Sequence, residues 1–372
     1  MSAREPWRTA RNVLAVRLDG MGDLLMTTPA LRALQESVPG RRITLLASPA
    51  GASVARALPF VADVVTFVAP WMKHPHDDTA ATRTAAMADE LRARQFDAAV
   101  VFTVFTQSAL PAALLLLLAG VPLRAAHARE NPYALLTDWI AESDLDAHAG
   151  VRHEARRQLD LVAALGAHAT DERMQFPVEP AARARIARLL AATGVDPDRP
   201  FLVLHPGATA ASRRYPAESF GASAAALVRA GWPVVVTGGA DDGESVATIR
   251  AAAPAVCALA CEPTVPELAA LLAQASAVIS NNSFAAHLAA AVGTPVVDLY
   301  ALTNPQHTPW GVPHRVLSRD VECRFCFKSV CPAGHHRCLA GVPPAAVVEA
   351  VVDLVGAPLC HALAVDTIGA AA

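Results

Sequence analysis

Asp23 is the side chain in this sequence best placed to move a proton. It stands in Arg17–Leu31, RLDGMGDLLMTTPAL, after the apolar run Asn12–Val16 and at the mouth of a glycine-bearing strand-to-helix turn. In open α/β sheets, ligands collect outside the carboxyl ends of strands, near such turns. Gly20 and Gly22 let the backbone bend and approach a ligand closely. A phosphate-binding turn keeps the helix start clear for an anion, whereas an acid there repels one. The turn therefore reads as a base facing a substrate. An acid in a helix's first turn is also explained by the helix dipole alone, and on these residues both accounts stay open.

A second group with chemical capacity is Cys323-x2-Cys326-x4-Cys331-x6-Cys338, with His335 and His336 beside it. Four thiolates can enclose a tetrahedral zinc. The spacing is not that of two CxxC knuckles, so structural zinc and free or redox-paired thiols remain alternatives. A closed four-thiolate site would leave no open position for catalysis. Cys257, Cys261 and Cys360 are scattered. This is not a small disulfide scaffold, and it points to a reducing cytoplasm.

The elements that must hold these residues alternate from end to end. The first half reads NVLAVRL, a helix from Asp23, RITLLAS, a short helix, VADVVTF, a helix near Thr79–Arg94, then AAVVFTV. The second half restarts at FLVLHPG. It continues with a helix after Pro216, WPVVVTGG, a helix after Asp242, AVCALA, a helix near Val265–Gln274, SAVISNN, a helix from Ser283, and TPVVDLY. Short, β-branched, continuously apolar strands are those of parallel sheets covered on both faces. The predicted fold is α/β: two doubly wound, Rossmann-like domains facing an interdomain cleft, where a ligand can touch both halves. A helix over 151–165 closes the first half, and polar, irregular residues 166–180 follow it. The domains are drawn at 1–180 and 181–355, with a tail at 356–372.

Composition excludes several classes. A net charge of −3 gives no case for nucleic acid. Hydrophobic residues make up 53% and charged residues 17%, which argues for wide buried sheets rather than disorder. Lys73 and Lys328 are the only lysines, so anion contacts fall to arginine, whose fork suits phosphate and carboxylate. The polar start MSAREPWRTARN carries no visible secretory signal. Residues 98–123 are uncharged, but Thr103, Thr106, Gln107, Ser108, Pro111 and Gly120 interrupt them. A strand, a turn and a short buried helix are expected there, not a spanning helix of about 20 residues.

Four motifs, spanning Arg17 to Trp310, carry a family resemblance. They are RLDGMGDLLMTTPAL, HPGATAASRRYP, TGGADDGES and SNNSFAAHLAAAVGTPVVDLYALTNPQHTPW. Together they resemble glycosyltransferase family 9, the ADP-heptose:lipopolysaccharide heptosyltransferases of GT-B fold. The resemblance implies an inverting transfer of a heptose, or a related sugar, from a nucleoside diphosphate, ADP-heptose first, to a lipopolysaccharide core or similar saccharide. It places the acceptor on the amino domain and the nucleotide-sugar on the carboxyl domain, with no metal required for catalysis. The acceptor would be lipid-linked and the enzyme cytoplasmic, with peripheral contact at the cytoplasmic face of the inner membrane. Arg83, Arg92 and Arg94 could favour anionic lipid, although a solvated face explains them as well.

By the same resemblance Asp23 is the general base. A carboxylate can take the proton from an acceptor hydroxyl as it attacks the anomeric carbon. Thr209, Ser212 and Arg213 are the diphosphate candidates: hydroxyl donors and a charged fork against the charge of the leaving group. Relatives usually carry a lysine near Arg213. Glu244 aligns with an acid placed near the ribose. Ser283 reads as an N-cap of a helix whose first turn can face a phosphate. Asn282 stands where relatives often have Asp against the sugar hydroxyls, and His287 lies one turn on. Gln306, His307 and Thr308 are loop candidates for donor contact. Two other classes remain beside the transferase: a nucleotide-sugar epimerase of the same fold, and a non-catalytic nucleotide-sugar-binding protein.

Overall fold

In the computed structural model, residues 5–73, 77–142, 151–259 and 263–357 are described. The first half runs α1 (Glu5–Thr9), β1 (Asn12–Arg17), α2 (Met21–Glu36), β2 (Arg42–Ala47), α3 (Pro49–Ala55), β3 (Asp63–Thr66), α4 (Ala80–Ala93), β4 (Ala98–Val101), α5 (Leu110–Leu118), β5 (Leu123–Ala128) and β6 (Asp138–Ala141). Two helices, α6 (Glu154–Ala164) and α7 (Pro180–Ala192), lead onward. The second half runs β7 (Leu202–His205), α8 (Ala217–Arg229), β8 (Val234–Val236), α9 (Gly243–Ala252), β9 (Cys257–Ala258), α10 (Val265–Leu272), β10 (Ala277–Asn281), α11 (Phe284–Ala291), β11 (Val296–Leu299), β12 (His314–Leu317), α12 (Arg337–Ala340) and α13 (Pro344–Val355).

Both sheets have six parallel strands, ordered β3-β2-β1-β4-β5-β6 and β12-β11-β10-β7-β8-β9. Each reverses direction of growth once, between β1 and β4 in the first and between β7 and β10 in the second. Crevices open at such reversals, outside the carboxyl ends of the strands. β1 ends at Arg17 and β10 at Asn281, so the sequence motifs already lie at the two crevices.

The central strands β4, β10 and β11 are buried at every residue, as strands covered on both faces must be. Three strands escaped the sequence reading. β6 and β12 are edge strands with mixed burial and no apolar run. β5 carries Arg124, whose guanidinium donates to the carbonyls of Val121, Ala134 and Leu135. That arginine is a buried loop clamp, and its charge hides the strand from a hydropathy reading. Helix α1 was missed for a similar reason: its polar face is outward, and only Trp7 is buried. Five consecutive leucines sit in α5, which has nine residues and is not buried as expected: Leu114, Leu117 and Leu118 are exposed, because only one face of the helix packs on the sheet. Among the described residues no helix is long and apolar enough to cross a membrane.

The helix expected over 151–165 is α6, and it packs on α2; α7 packs on α10 of the second half. Residues 166–179 run between the halves: the Gln175 amide donates to Thr28 Oγ1 (3.2 Å) and the Phe176 amide to the Ala291 carbonyl (3.2 Å). One hydrophobic cluster continues across, from Leu25 and Leu31 of α2 to Ala286 and Leu288 of α11. This apolar contact forms the back of the cleft. Of the expected tail, residues 358–372 lie outside the described residues.

Candidate functional site

A cleft of about 780 Å³ lies between the halves, within the range of small-molecule sites. On one side it is lined by Gly20, Met21, Gly22 and Asp23; on the other by the ends of β7, β8 and β10 and the start of α11. Thr209, Arg213, Asn282, Ser283, His287 and His307 all line it. Residues separated by more than 250 positions are thus brought to one space by two sheet crevices facing each other.

Helix α2 begins at Met21, two residues before the expected start, so Asp23 is its third residue. Its carboxylate turns back over the turn, and Oδ2 accepts the Gly20 amide at 3.2 Å. The other oxygen, Oδ1, lies 3.6 Å from Arg17 Nη2. About a quarter of the Asp23 side chain remains exposed (27%), facing the cleft. Asp23 therefore caps the helix and also leaves a carboxylate edge open to the cleft.

Arg17 is the residue of this motif whose importance sequence reasoning missed. Its side chain is fully buried and meets three acids: Asp19 at 3.0 Å from Nε, Glu154 at 3.2 Å from Nη1, and Asp23. Burying a cation is costly unless it is paired, and this pairing holds the carboxylates in fixed places. Burial pushes the Asp19 carboxyl up to about 6; Arg17 pulls it down and Asp23 pushes it further up. Glu154 also accepts from Gln158 Nε2 (2.5 Å). The clue was available in the sequence as an arginine ending an otherwise apolar strand.

Across the cleft, Asn282 is buried with neither its amide oxygen nor its amide nitrogen partnered, and it faces the cavity. A buried amide without partners is costly, so it is a ready donor and acceptor for a polar ligand. Ser283 occupies the N-cap position of α11, as expected, but its hydroxyl makes no cap bond and lies 3.2 Å from Ser280 Oγ. The first amides of α11 are left without a side-chain cap, which favours an anion there.

The histidines carry no charge in this setting. Burial drives His287 down to about 3 and also lowers His307 and His205. Positive charge for a phosphate must then come from arginine, and Arg213 and Arg214 line the cleft. Beside Arg213 lies Asp298 on β11, wholly buried with both oxygens unpartnered; burial holds its carboxyl well above the usual range while Arg213 opposes.

Four expected contacts are not brought to the cleft. Ser212 is buried and donates to the Lys328 carbonyl at 2.7 Å, tying its turn to the cysteine-bearing segment. Glu244 is exposed on α9 and does not line the cavity; Asp241 and Asp242, in the 3-10 turn before it, do. Asp242 Oδ2 accepts the Gly239 amide at 2.8 Å. A Cβ on Gly207 would fall 2.2 Å from that oxygen, so HPG and TGG are glycine-bearing because this acid lies between them. Gln306 is buried away from the cavity. Thr308 uses its carbonyl to accept from His153 Nε2 at 2.8 Å.

That last bond ties the late loop to the first half. His153 Nδ1 accepts the Ala155 amide, which caps α6, so the proton is on Nε2. Burial accordingly lowers its pKa to about 4. The ring also packs on Trp310 at 4.5 Å, and Trp310 Nε1 donates to the Glu172 carbonyl at 2.7 Å.

Among the described residues, no three His, Cys, Asp or Glu side chains converge as a metal-holding group. Cys323, Cys326, Cys331 and Cys338 are free thiols, and the Cys323 sulfur lies 3.7 Å from His335 Nε2. Cys257 is free as well, while Cys261 and Cys360 lie outside the described residues.

Two expected outcomes arise here. Gly22 sits against the second half: a Cβ added to it would fall 2.7 Å from His287 Cδ2. Overpacking of this kind costs roughly 1–3 kcal/mol, and the helix preference for alanine offsets about 1 kcal/mol. Gly22→Ala should lower the urea midpoint, against the direction helix propensity alone predicts. The second concerns pH. Below about 6.5 the unfolded chain protonates histidines that the fold keeps neutral, so the stability due to His287 and His153 is present above pH 6.5 and is lost as pH falls toward 3–4. Asp19 has the opposite sign: its contribution is present below about 4 and lost as pH rises through 6. From pH 7 to 5 the two histidines outweigh one acid, and a net loss on the order of 2 kcal/mol is expected. Urea unfolding at the two pH values measures it, and His287→Gln should flatten the dependence.

Two parallel six-stranded sheets with a ligand cleft between their carboxyl ends are the GT-B architecture of glycosyltransferases. The chain belongs to glycosyltransferase family 9 (heptosyltransferase), whose profile matches residues 84–336. It is 30% identical over 186 residues to lipooligosaccharide heptosyltransferase 2 of Haemophilus influenzae, covering 48% of this chain and 54% of that one. It is 24% identical over 349 residues to lipopolysaccharide heptosyltransferase 2 of Escherichia coli, covering 91% and 96%. Among solved structures, E. coli ADP-heptose LPS heptosyltransferase II matches with a TM-score of 0.71 and 23% identity, covering 92% of this chain and 98% of that one.

Proposed function

We propose that this glycosyltransferase moves a heptose from ADP-heptose to the core saccharide of a lipid-linked lipopolysaccharide acceptor, with inversion at the anomeric carbon. The observation that carries the reading is the cleft itself, with an oriented carboxylate, Asp23, on one wall and Arg213, Asn282 and the uncapped α11 amides on the other. The names of the heptosyltransferase relatives supply the sugar, the nucleotide and the kind of acceptor.

In this reading Asp23 takes the proton from an acceptor hydroxyl. That oxygen attacks the anomeric carbon from the side opposite the diphosphate, and the bond to the diphosphate oxygen breaks with its electron pair. One displacement gives one inversion. The negative charge that grows on ADP is met by Arg213 and by the first amides of α11. Arg17 keeps Asp23 oriented, and the neutral His287 and His307 wall the site without competing for the phosphate. Asn282 offers its unpartnered amide to the sugar hydroxyls, and Asp242, which lines the same cavity, accepts from the ribose hydroxyls.

Contact with a membrane surface at its cytoplasmic face is part of the same proposal. On α5, Leu114, Leu117 and Leu118 are exposed at spacings of three and four, with no charged residue in the helix. Such a face suits an interface better than water.

The test is incubation with ADP-heptose and a deep-rough core acceptor. Release of ADP together with a saccharide product of opposite anomeric configuration is the expected result. A free sugar nucleotide with one inverted stereocentre would instead show an epimerase, and binding without turnover a carrier; either overturns the proposal.

A further inference from the structure

Six non-glycine residues among the described ones have positive φ, and four of them lie in two adjoining loops: Leu302 (79°), Phe325 (65°), Phe327 (55°) and His336 (47°). Left-handed backbone is costly for a bulky side chain. It persists where surrounding contacts over-determine it, and such places cluster at functional sites. Leu302 lies in the loop after β11 that carries His307 into the cleft. The other three belong to the cysteine-bearing segment Cys323–Cys338, no residue of which lines the cleft.

The two loops are bonded at their strained residues: the Phe327 amide donates to the Leu302 carbonyl at 2.9 Å. The next two residues hold the other side of the donor wall. Ser212 donates its hydroxyl to the Lys328 carbonyl at 2.7 Å and its amide to the Ser329 carbonyl at 3.1 Å. Ser212 and Arg213 share one 3-10 turn, Ala211–Arg213. Arg213 Nε is buried without a partner, so nothing at that nitrogen fixes the guanidinium, and its aim depends on the turn. Three consecutive residues, Phe327 to Ser329, thus join the Arg213 turn to the His307 loop. The segment is closed on itself, since the Arg319 amide donates to the Cys338 carbonyl at 2.8 Å. Inside it, the Cys323 sulfur lies 3.7 Å from His335 Nε2, and the amides of Ala333 to His336 turn toward the Cys331 sulfur.

We propose that Phe327–Ser329 is a positioning clamp for the nucleotide: it holds the Arg213 turn and the His307 loop in register on the donor wall. The proposal rests on the donor-side reading of Arg213. It gives the cysteine-bearing segment a part in nucleotide binding and none in acceptor binding. Clamp and nucleotide fix the same two loops, so each stabilises the other, and the coupling is reciprocal.

Two measurements test it. The first is hydrogen exchange of the native chain, which needs no turnover. ADP at about a hundred times its Kd should slow exchange of the Phe327 and Ser212 amides about tenfold or more, within the roughly hundredfold that full linkage allows. The Gly356 amide, which bonds back into α13, should change little. The second measurement is affinity and transfer in variants. Ser212→Ala removes one bond of the clamp and should raise the ADP Kd and the donor KM about fivefold, on the scale of one hydrogen bond. The acceptor KM should stay as it was, and Ser212→Thr, which keeps the hydroxyl, should restore most of the loss. Proline has no N–H and fixes φ near about −65°, so Phe327→Pro should raise the ADP Kd about tenfold or more. Phe327→Gly, which keeps the amide and adopts positive φ freely, should stay well below that. Exchange at Phe327 and Ser212 unmoved by saturating ADP, equal effects of Ser212→Ala on the two KM values, or native ADP affinity in Phe327→Pro each overturns the clamp. Clamp effects on ADP binding without heptosyl transfer in the native chain would sink the proposed activity and leave the clamp standing. Transfer without those effects would do the reverse.

Discussion

Asp23→Asn should lower kcat/KM for sugar transfer by about 10²–10⁴-fold, the usual contribution of a general base, while ADP binds as before. The variant isolates proton acceptance because the side-chain oxygen that remains can still accept the Gly20 amide, as Oδ2 does at 3.2 Å. Helix α2 therefore keeps its cap, and the loss cannot be assigned to unfolding of the turn. The Arg17 guanidinium loses one of three partners but keeps Asp19 and Glu154. Steady-state transfer rates with an ADP titration of the same preparation decide the matter. Transfer within about tenfold of the parent rate would mean that Asp23 is only a helix cap.

Arg213→Met should cost about 10²–10³-fold in kcat, on the scale found when one donor to a developing charge is removed, and should weaken ADP binding as well. The cleft-lining histidines are kept neutral by burial, His287 down to about 3, so they cannot replace the lost cation. Arg213→Lys should recover part of the rate: it returns the charge but not the planar fork. This variant also bears on Asp298, whose one opposing influence on its raised carboxyl is Arg213. If Arg213→Met left both kcat and ADP affinity intact, the diphosphate would have to sit elsewhere, with Arg214 the next cation on the wall.

The fold was legible because its central strands are short apolar runs separated by amphipathic helices, and burial on both faces leaves that pattern no other reading. What was not legible was written in polar residues. Arg124 conceals β5 because its charge is spent on loop carbonyls, a use that appears only once the loop has folded back. β6 and β12 lie at sheet edges, where one side meets solvent and the apolar signal fades. In the site, Asp23 stood out because motif and chemistry agreed, and Arg213 and Asn282 because their chemistry suits a polar ligand even where the resemblance has other residues. Arg17 and Glu154 did not, since they pair across 137 positions, and Asp242 did not, since only the folded 3-10 turn shows that it faces the cavity.

By itself the sequence determined the class of fold, the turn that carries Asp23 and the strand ends that carry Arg213 and Asn282 toward the cleft, because periodicity and glycine placement are local properties. The tertiary structure decided which of the candidates share a space. Arg17 and Glu154, 137 positions apart, meet in a buried ion cluster, because a cation taken out of water must find its acids wherever the chain brings them. Ser212 and Thr308 were drawn into backbone contacts instead of the cleft. Of the acids before and on α9, Asp241 and Asp242 line the cavity and Glu244 does not, because the 3-10 turn before α9 brings the earlier residues inward. Those outcomes depend on the direction in which a side chain leaves a turn and on which helix packs against it, and neither is set by the residues of one segment alone.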